Sequence, residues 1–192
     1  MLILSPLVAF IITLITLVLL KPIALRVGLV DTPGGRKQHS GKIPLIGGLA
    51  MLCGLAFSFL TLNQSLSAYR CLIAGALLLV LTGVLDDFHE LSPRSRLFVQ
   101  VFIGILLVVW GKVSLLSFGN LLAFGNISLG FFAMPVTVFA TVAIINAVNM
   151  TDGVDGLAAS LGLVEFFYLT LLASRANDLP NLEILYLILA VV

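Results

Sequence analysis

The chain has 192 residues, 60% of them hydrophobic and 10% charged, with a net charge of +1. A soluble domain carries about 25% charged residues, so this chain lacks the polar surface to cover a water-soluble globule, and its solvent is lipid. The near-zero charge gives no basis for nucleic-acid binding, and Cys53 and Cys71, both in apolar runs, carry no disulfide or zinc signature.

A bilayer core requires about 20 predominantly apolar residues per helix. The first run, residues 2–20, closes at Lys21-Pro22 and lacks the charged leader and small-residue site of a signal peptide, so it is expected to be a retained span. The second, residues 43–62, contains Gly47, Gly48 and Gly54 for close helix approach. The third is 66–85 and the fourth 97–110, a short one flanked by Lys112. Residues 111–130 carry Gly119-Asn120 and Gly125-Asn126 between short apolar runs, the pattern of a hairpin or an interfacial loop. The fifth and sixth runs are 131–148 and 157–173. A seventh begins at 182 and stops at Val192 with no charged anchor, so it is expected to be cut short. The predicted fold is therefore all-α, a polytopic transmembrane helix bundle of six spans and a truncated seventh, with a short external hairpin at 111–130. One membrane domain accounts for the whole chain, and no repeat is visible.

Six spans sort the loops onto alternate sides. Lys21, Arg26, Arg36, Lys37, Lys42, Arg94 and Arg96 fall on one side, and Arg70, Lys112 and Arg175 on the other. The positive-inside rule makes the first side cytoplasmic and puts the N-terminus outside. That rule leaves the acids unexplained. Asp31, Asp86, Asp87, Glu90, Asp152 and Asp155 all fall on the cytoplasmic side, with His39 and His89. Three short loops thus gather acids, bases and amides at one membrane face.

In "GVLDDFHE", two adjacent carboxylates, Asp86 and Asp87, end an apolar run. They repel each other unless a cation lies between them, and they oppose the helix macrodipole. A solvated helix end would require only one. In "NAVNMTDGVDGL", Asn146, Asn149, Asp152 and Asp155 recur at every third position, offering hard oxygen ligands and amide donors. A polar turn capped by Asp155 would explain one or two of these residues, not four. The loop "DTPGGRKQHSGKIPLIGG" is basic and glycine-rich but lacks P-loop spacing; Arg36, Lys37 and Lys42 are either topology anchors or phosphate contacts. Isolated His39 and His89 have solvated or internally satisfied roles as their default, and Glu165 is a lone intramembrane acid. Acids and cations together at a membrane–cytosol boundary suit the binding of Mg2+ and a pyrophosphate against a lipid headgroup.

These three motifs, in this order between these spans, resemble the polyprenyl-phosphate N-acetylhexosamine-1-phosphate transferases, nearest to their bacterial undecaprenyl-phosphate N-acetylglucosamine branch. The resemblance covers nearly the whole chain. It implies a bacterial inner-membrane enzyme, active on its cytoplasmic face, that uses Mg2+ (or Mn2+) to move a sugar-1-phosphate from a UDP-N-acetylhexosamine to undecaprenyl phosphate. UMP leaves, and a lipid-linked cell-envelope polysaccharide such as lipopolysaccharide O-antigen is begun. It implies catalytic roles for Asp86, Asp87, Asp152 and Asp155, substrate contacts for Arg36, Lys37, Asn146 and Asn149, and metal ligation by Asp86, Asp87 and Asn149. The family's further glycine–aspartate motif and histidine-rich loop are not in this sequence, so the chain is expected to be the N-terminal part of a transferase and inactive alone. A phospho-N-acetylmuramoyl-pentapeptide transferase is the alternative within the family. Outside it stand a transporter, which predicts midplane charges and an inverted repeat, and a non-catalytic truncated membrane protein.

Overall fold

The computed structural model describes residues 4–31, 42–121, 123, 125–151 and 156–192. Arg36, Lys37, His39, Asp152 and Asp155 lie outside them. The elements in chain order are α1 (Leu4–Val27), β1 (Val30–Asp31), β2 (Ile43–Pro44), α2 (Gly47–Phe59), α3 (Arg70–His89), α4 (Pro93–Val109), α5 (Ala133–Thr151), α6 (Leu157–Arg175) and α7 (Leu179–Val191). Short 3-10 turns, Leu66–Tyr69 and Gly130–Phe132, lead into α3 and α5. The protein is all-α and polytopic. Four helical stretches are long and apolar enough to cross a membrane: Leu4–Val27, Leu66–His89, Gly130–Thr151 and Leu157–Arg175. The expected second span forms a helix of only 13 residues, about 20 Å long, because its first residues enter β2. α4 has 17 residues and α7 has 13.

The chain divides into two compact units. The first comprises residues 1–65, 83–90 and 154–192, and the second 66–82 and 91–153. In the first, α1 packs against α2 and α7, and α7 against α6. The α1–α2 contact is built from small side chains: Ser5, Ala9 and Thr13 are buried on α1, and Ala50, Gly54 and Ser58 on α2. Residues four apart share a helix face, and small ones let backbones approach where lipid offers no hydrophobic drive between helices. Of the glycines expected to mediate close approach, Gly54 does so, whereas a Cβ on Gly47 would meet nothing within 4 Å.

α1 does not stop at Lys21-Pro22. It runs through Pro22 to Val27, because Ala24 is buried against Leu29 and Ile46, and that packing offsets the hydrogen bond lost at proline. Its end is a Schellman cap: Gly28 has φ +79° and the Leu29 amide donates to the Ala24 carbonyl at 3.0 Å. The chain then enters β1, which pairs antiparallel with β2 through Val30–Pro44 and Asp31–Ile43. A two-residue ladder therefore closes the base of the basic loop.

In the second unit, α4 packs against α5. A Cβ on Gly104 would lie 3.1 Å from Val138 Cγ1 and 3.2 Å from its Cα, which marks a close helix approach. The expected hairpin is present as a single antiparallel bridge, Ser117–Ser128, extended by amide bonds from Phe118 to Ile127 (3.0 Å) and Leu129 to Leu116 (2.9 Å). Thr137 Oγ1 accepts the Leu115 amide at 2.8 Å, tying this hairpin to α5.

Candidate active site

Apolar helix-formers carry α3 past the end of its hydrophobic run, through Asp86 and Asp87 to His89. Glu90 then turns left-handed, with φ +47°, and its amide donates to the Asp86 carbonyl at 2.8 Å. This is the single-bond left-handed cap. Glu90 therefore does not extend the helical face of Asp86, as a continuing helix would require. Successive helical residues lie about 100° apart, and Asp86 is half-buried where Asp87 is exposed. The pair offers oxygens in two directions from one helix terminus.

Ser92 caps α4: its Oγ accepts the Ser95 amide at 3.2 Å, and Pro93 occupies the first turn. The expected loop 86–96 is thus shorter than expected, and Arg94 and Arg96 belong to the first turn of α4. Both charged groups oppose their own helix dipoles, acids at a C-terminus and cations at an N-terminus, each at a cost of about 0.3–1 kcal/mol. Local helix propensity does not account for either placement.

α5 continues through Asn149 to Thr151, three residues beyond the expected run. Asn146 and Asn149, three residues apart, share one face. Asn146 is half-buried and Asn149 exposed. The Asn146 Nδ2 donates to Gln100 Oε1 at 2.6 Å and to the Val142 carbonyl at 2.8 Å, while Gln100 Nε2 donates back to Asn146 Oδ1 at 3.5 Å. Gln100 was not singled out in the sequence, although it is the one amide within the apolar run of α4.

The N-cap of α6 is Gly156, at φ +74° and with no side-chain cap. Asp155, for which a capping role was the alternative, lies outside the described residues. Glu165 is exposed on α6. Asp86 and Asp87, in the first unit, and Asn149, in the second, each carry hard oxygens of the kind that suits Mg2+. Among the described residues no three His, Cys, Asp or Glu side chains group to hold an ion; Asp152 and Asp155 lie outside those residues.

The chain belongs to glycosyl transferase family 4, whose family model matches residues 69–192. That match includes Asp86, Asp87, Asn146, Asn149, Asp152 and Asp155, and excludes Arg36 and Lys37. The chain is 38% identical over 170 residues to the undecaprenyl-phosphate alpha-N-acetylglucosaminyl 1-phosphate transferase of Yersinia pestis, covering 88% of this chain and 47% of that protein. The protein of the same name from Escherichia coli (strain K12) is 39% identical over 157 residues, with 82% and 43% covered. That of Salmonella typhi is 36% identical over 157 residues, again with 82% and 43% covered. The chain spans about half the length of the curated relatives it matches.

Proposed function

We propose that this protein transfers N-acetylglucosamine-1-phosphate from UDP-N-acetylglucosamine to undecaprenyl phosphate at the cytoplasmic face of the bacterial inner membrane. The observation that carries this reading is the adjacent pair Asp86–Asp87 at the polar end of an apolar helix, within the segment matched by the family model. The names of the relatives supply the sugar and the acceptor.

An oxygen of the lipid phosphate attacks the β-phosphorus of the nucleotide sugar. The α–β bridging P–O bond breaks, and its electron pair leaves with UMP. A phosphate monoester has a second pKa of about 6, so the acceptor is largely dianionic at neutral pH and little is gained by removing a proton. Asp86 and Asp87 therefore act as ligands and orienting groups, and the asparagine–aspartate motif supplies Asn149, Asp152 and Asp155 as further ligands or substrate contacts. Bound Mg2+ would supply charge neutralisation for the reacting phosphates. Arg36 and Lys37 contribute cationic contacts to the nucleotide phosphates, and the β1–β2 ladder fixes both roots of their loop. The product begins a lipid-linked cell-envelope polysaccharide.

The test is UMP release from membranes containing this chain within a transferase of its relatives' length, supplied with undecaprenyl phosphate and UDP-N-acetylglucosamine; the chain by itself is expected to release none. Magnesium-dependent release coupled to lipid-linked sugar supports the proposal. Release with UDP-N-acetylmuramoyl-pentapeptide alone, or none with either donor, overturns it.

A further inference from the structure

Asn146 lies on the asparagine–aspartate motif, and its residue type suits direct substrate contact. Its hydrogen bonds point elsewhere. An amide nitrogen has two hydrogens, and both are committed inside the second unit: one to Gln100 Oε1 at 2.6 Å, the other to the Val142 carbonyl at 2.8 Å. The Val142 carbonyl accepts only, which fixes the orientation of the Asn146 amide and obliges Gln100 to present its oxygen. The Gln100 nitrogen then faces Asn146 Oδ1, at 3.5 Å. The two amides clasp α4 to α5.

The surroundings suit a clasp. One turn further along α4, Gly104 meets Val138, two turns back along α5, so the same seam is close-packed beside the polar pair. Ile103, next to Gly104, is only 2% exposed. An amide in an apolar setting without a partner is costly, so each side chain holds the other in place. Asn149 sits one turn beyond the clasp, exposed at the end of α5, and its position follows from how α5 is seated on α4.

We propose that Gln100 is a positioning residue for the candidate site, that Asn146 acts through this clasp rather than on substrate, and that the pair sets where α5 presents Asn149. The proposal rests on the transferase reading. It is tested in the purified full protein with Gln100→Leu, Asn146→Leu, the double variant and the exchange Gln100→Asn/Asn146→Gln, measuring kcat, KM and thermal midpoint. Removal of partners that orient a site typically lowers activity by about 10- to 100-fold. Gln100→Leu and Asn146→Leu are expected to lose kcat equally within that range, the double variant to lose no more than either, and the exchange to recover part of the loss. Asn146→Leu inactive beside an unaffected Gln100→Leu would place Asn146 on substrate and overturn the clasp. Lowered midpoints with unchanged kcat would reduce the pair to packing and also overturn the proposal. Should the wild type release no UMP, the transferase reading fails and the positioning role with it, whereas non-additive midpoints would still show the clasp. Additive midpoints in an active enzyme overturn the clasp alone.

Discussion

Gly54 of α2 lies so close to Thr13 of α1 that a Cβ built on the glycine would overlap the Thr13 Oγ1 and sit 2.7 Å from the Ala9 carbonyl. Thr13 meets its own need by donating to that Ala9 carbonyl at 2.8 Å, which leaves the contact surface smooth. Just past the end of α2, Thr61 Oγ1 donates to Ser5 Oγ of α1 at 2.8 Å. Gly54→Leu is therefore expected to force the helices apart and cost about 1–3 kcal/mol, the usual range for overpacking. Thermal unfolding in detergent should show a lowered midpoint for Gly54→Leu. It should show little change for Gly47→Ala, where a Cβ meets nothing within 4 Å. Equal midpoints for the two would mean that the α1–α2 seam is not a tight contact.

Asp86 and Asp87 oppose the dipole of the helix that carries them, so their neutral amides should not weaken α3. Asp86→Asn and Asp87→Asn are each expected to lower UMP release by about 100-fold or more, the scale of removing one preorganised electrostatic contact. The magnesium concentration for half-maximal activity should rise in both. Retention of full turnover by either variant would remove that residue from the proposed site.

The all-α, polytopic class was legible because it depends on a strong, local signal, the long apolar runs. The caps were partly legible. Ser92-Pro93 has the sequence form of a helix start, yet counting apolar residues alone placed α4 four residues late, since Arg94 and Arg96 interrupt the run without ending the helix. Pro22 misled in the opposite direction, because a packing contact at Ala24 outweighs a local breaker. The β1–β2 ladder depends on partners 12 and 14 residues apart, and the Gln100–Asn146 clasp on partners 46 apart. Periodicity carries no information about such pairings. Gln100 was nevertheless detectable in principle, since a lone amide in an apolar helix requires a partner.

Charge sorting predicts the orientation of the bundle in the membrane. In a variant with Cys53 and Cys71 replaced by serine, a cysteine at Asn120, in the hairpin, should react with a membrane-impermeant maleimide in intact spheroplasts. A cysteine at Ser95, exposed in the first turn of α4, should react only after permeabilisation. The reverse pattern would place Asp86 and Asp87 outside and separate the site from any cytoplasmic nucleotide sugar.

Glu90 provides the last test, because it pairs a backbone strain with the placement of the acid pair. An L-residue in the left-handed region costs roughly 1–2 kcal/mol, and Glu90 adopts φ +47° with its amide on the Asp86 carbonyl. Glycine carries no such penalty and is the usual residue at this position of a helix end. Glu90→Gly also removes a negative charge beside a helix C-terminus, which is favourable by a few tenths of a kcal/mol. Both effects have the same sign, so the variant should unfold at a higher temperature than wild type. If Glu90 serves only as the turn, UMP release should be unchanged, since the cap and the direction of the Asp86 and Asp87 helix are preserved. A raised midpoint with activity lowered by about tenfold or more would instead assign the Glu90 carboxylate to the site, as strain held at a functional position predicts.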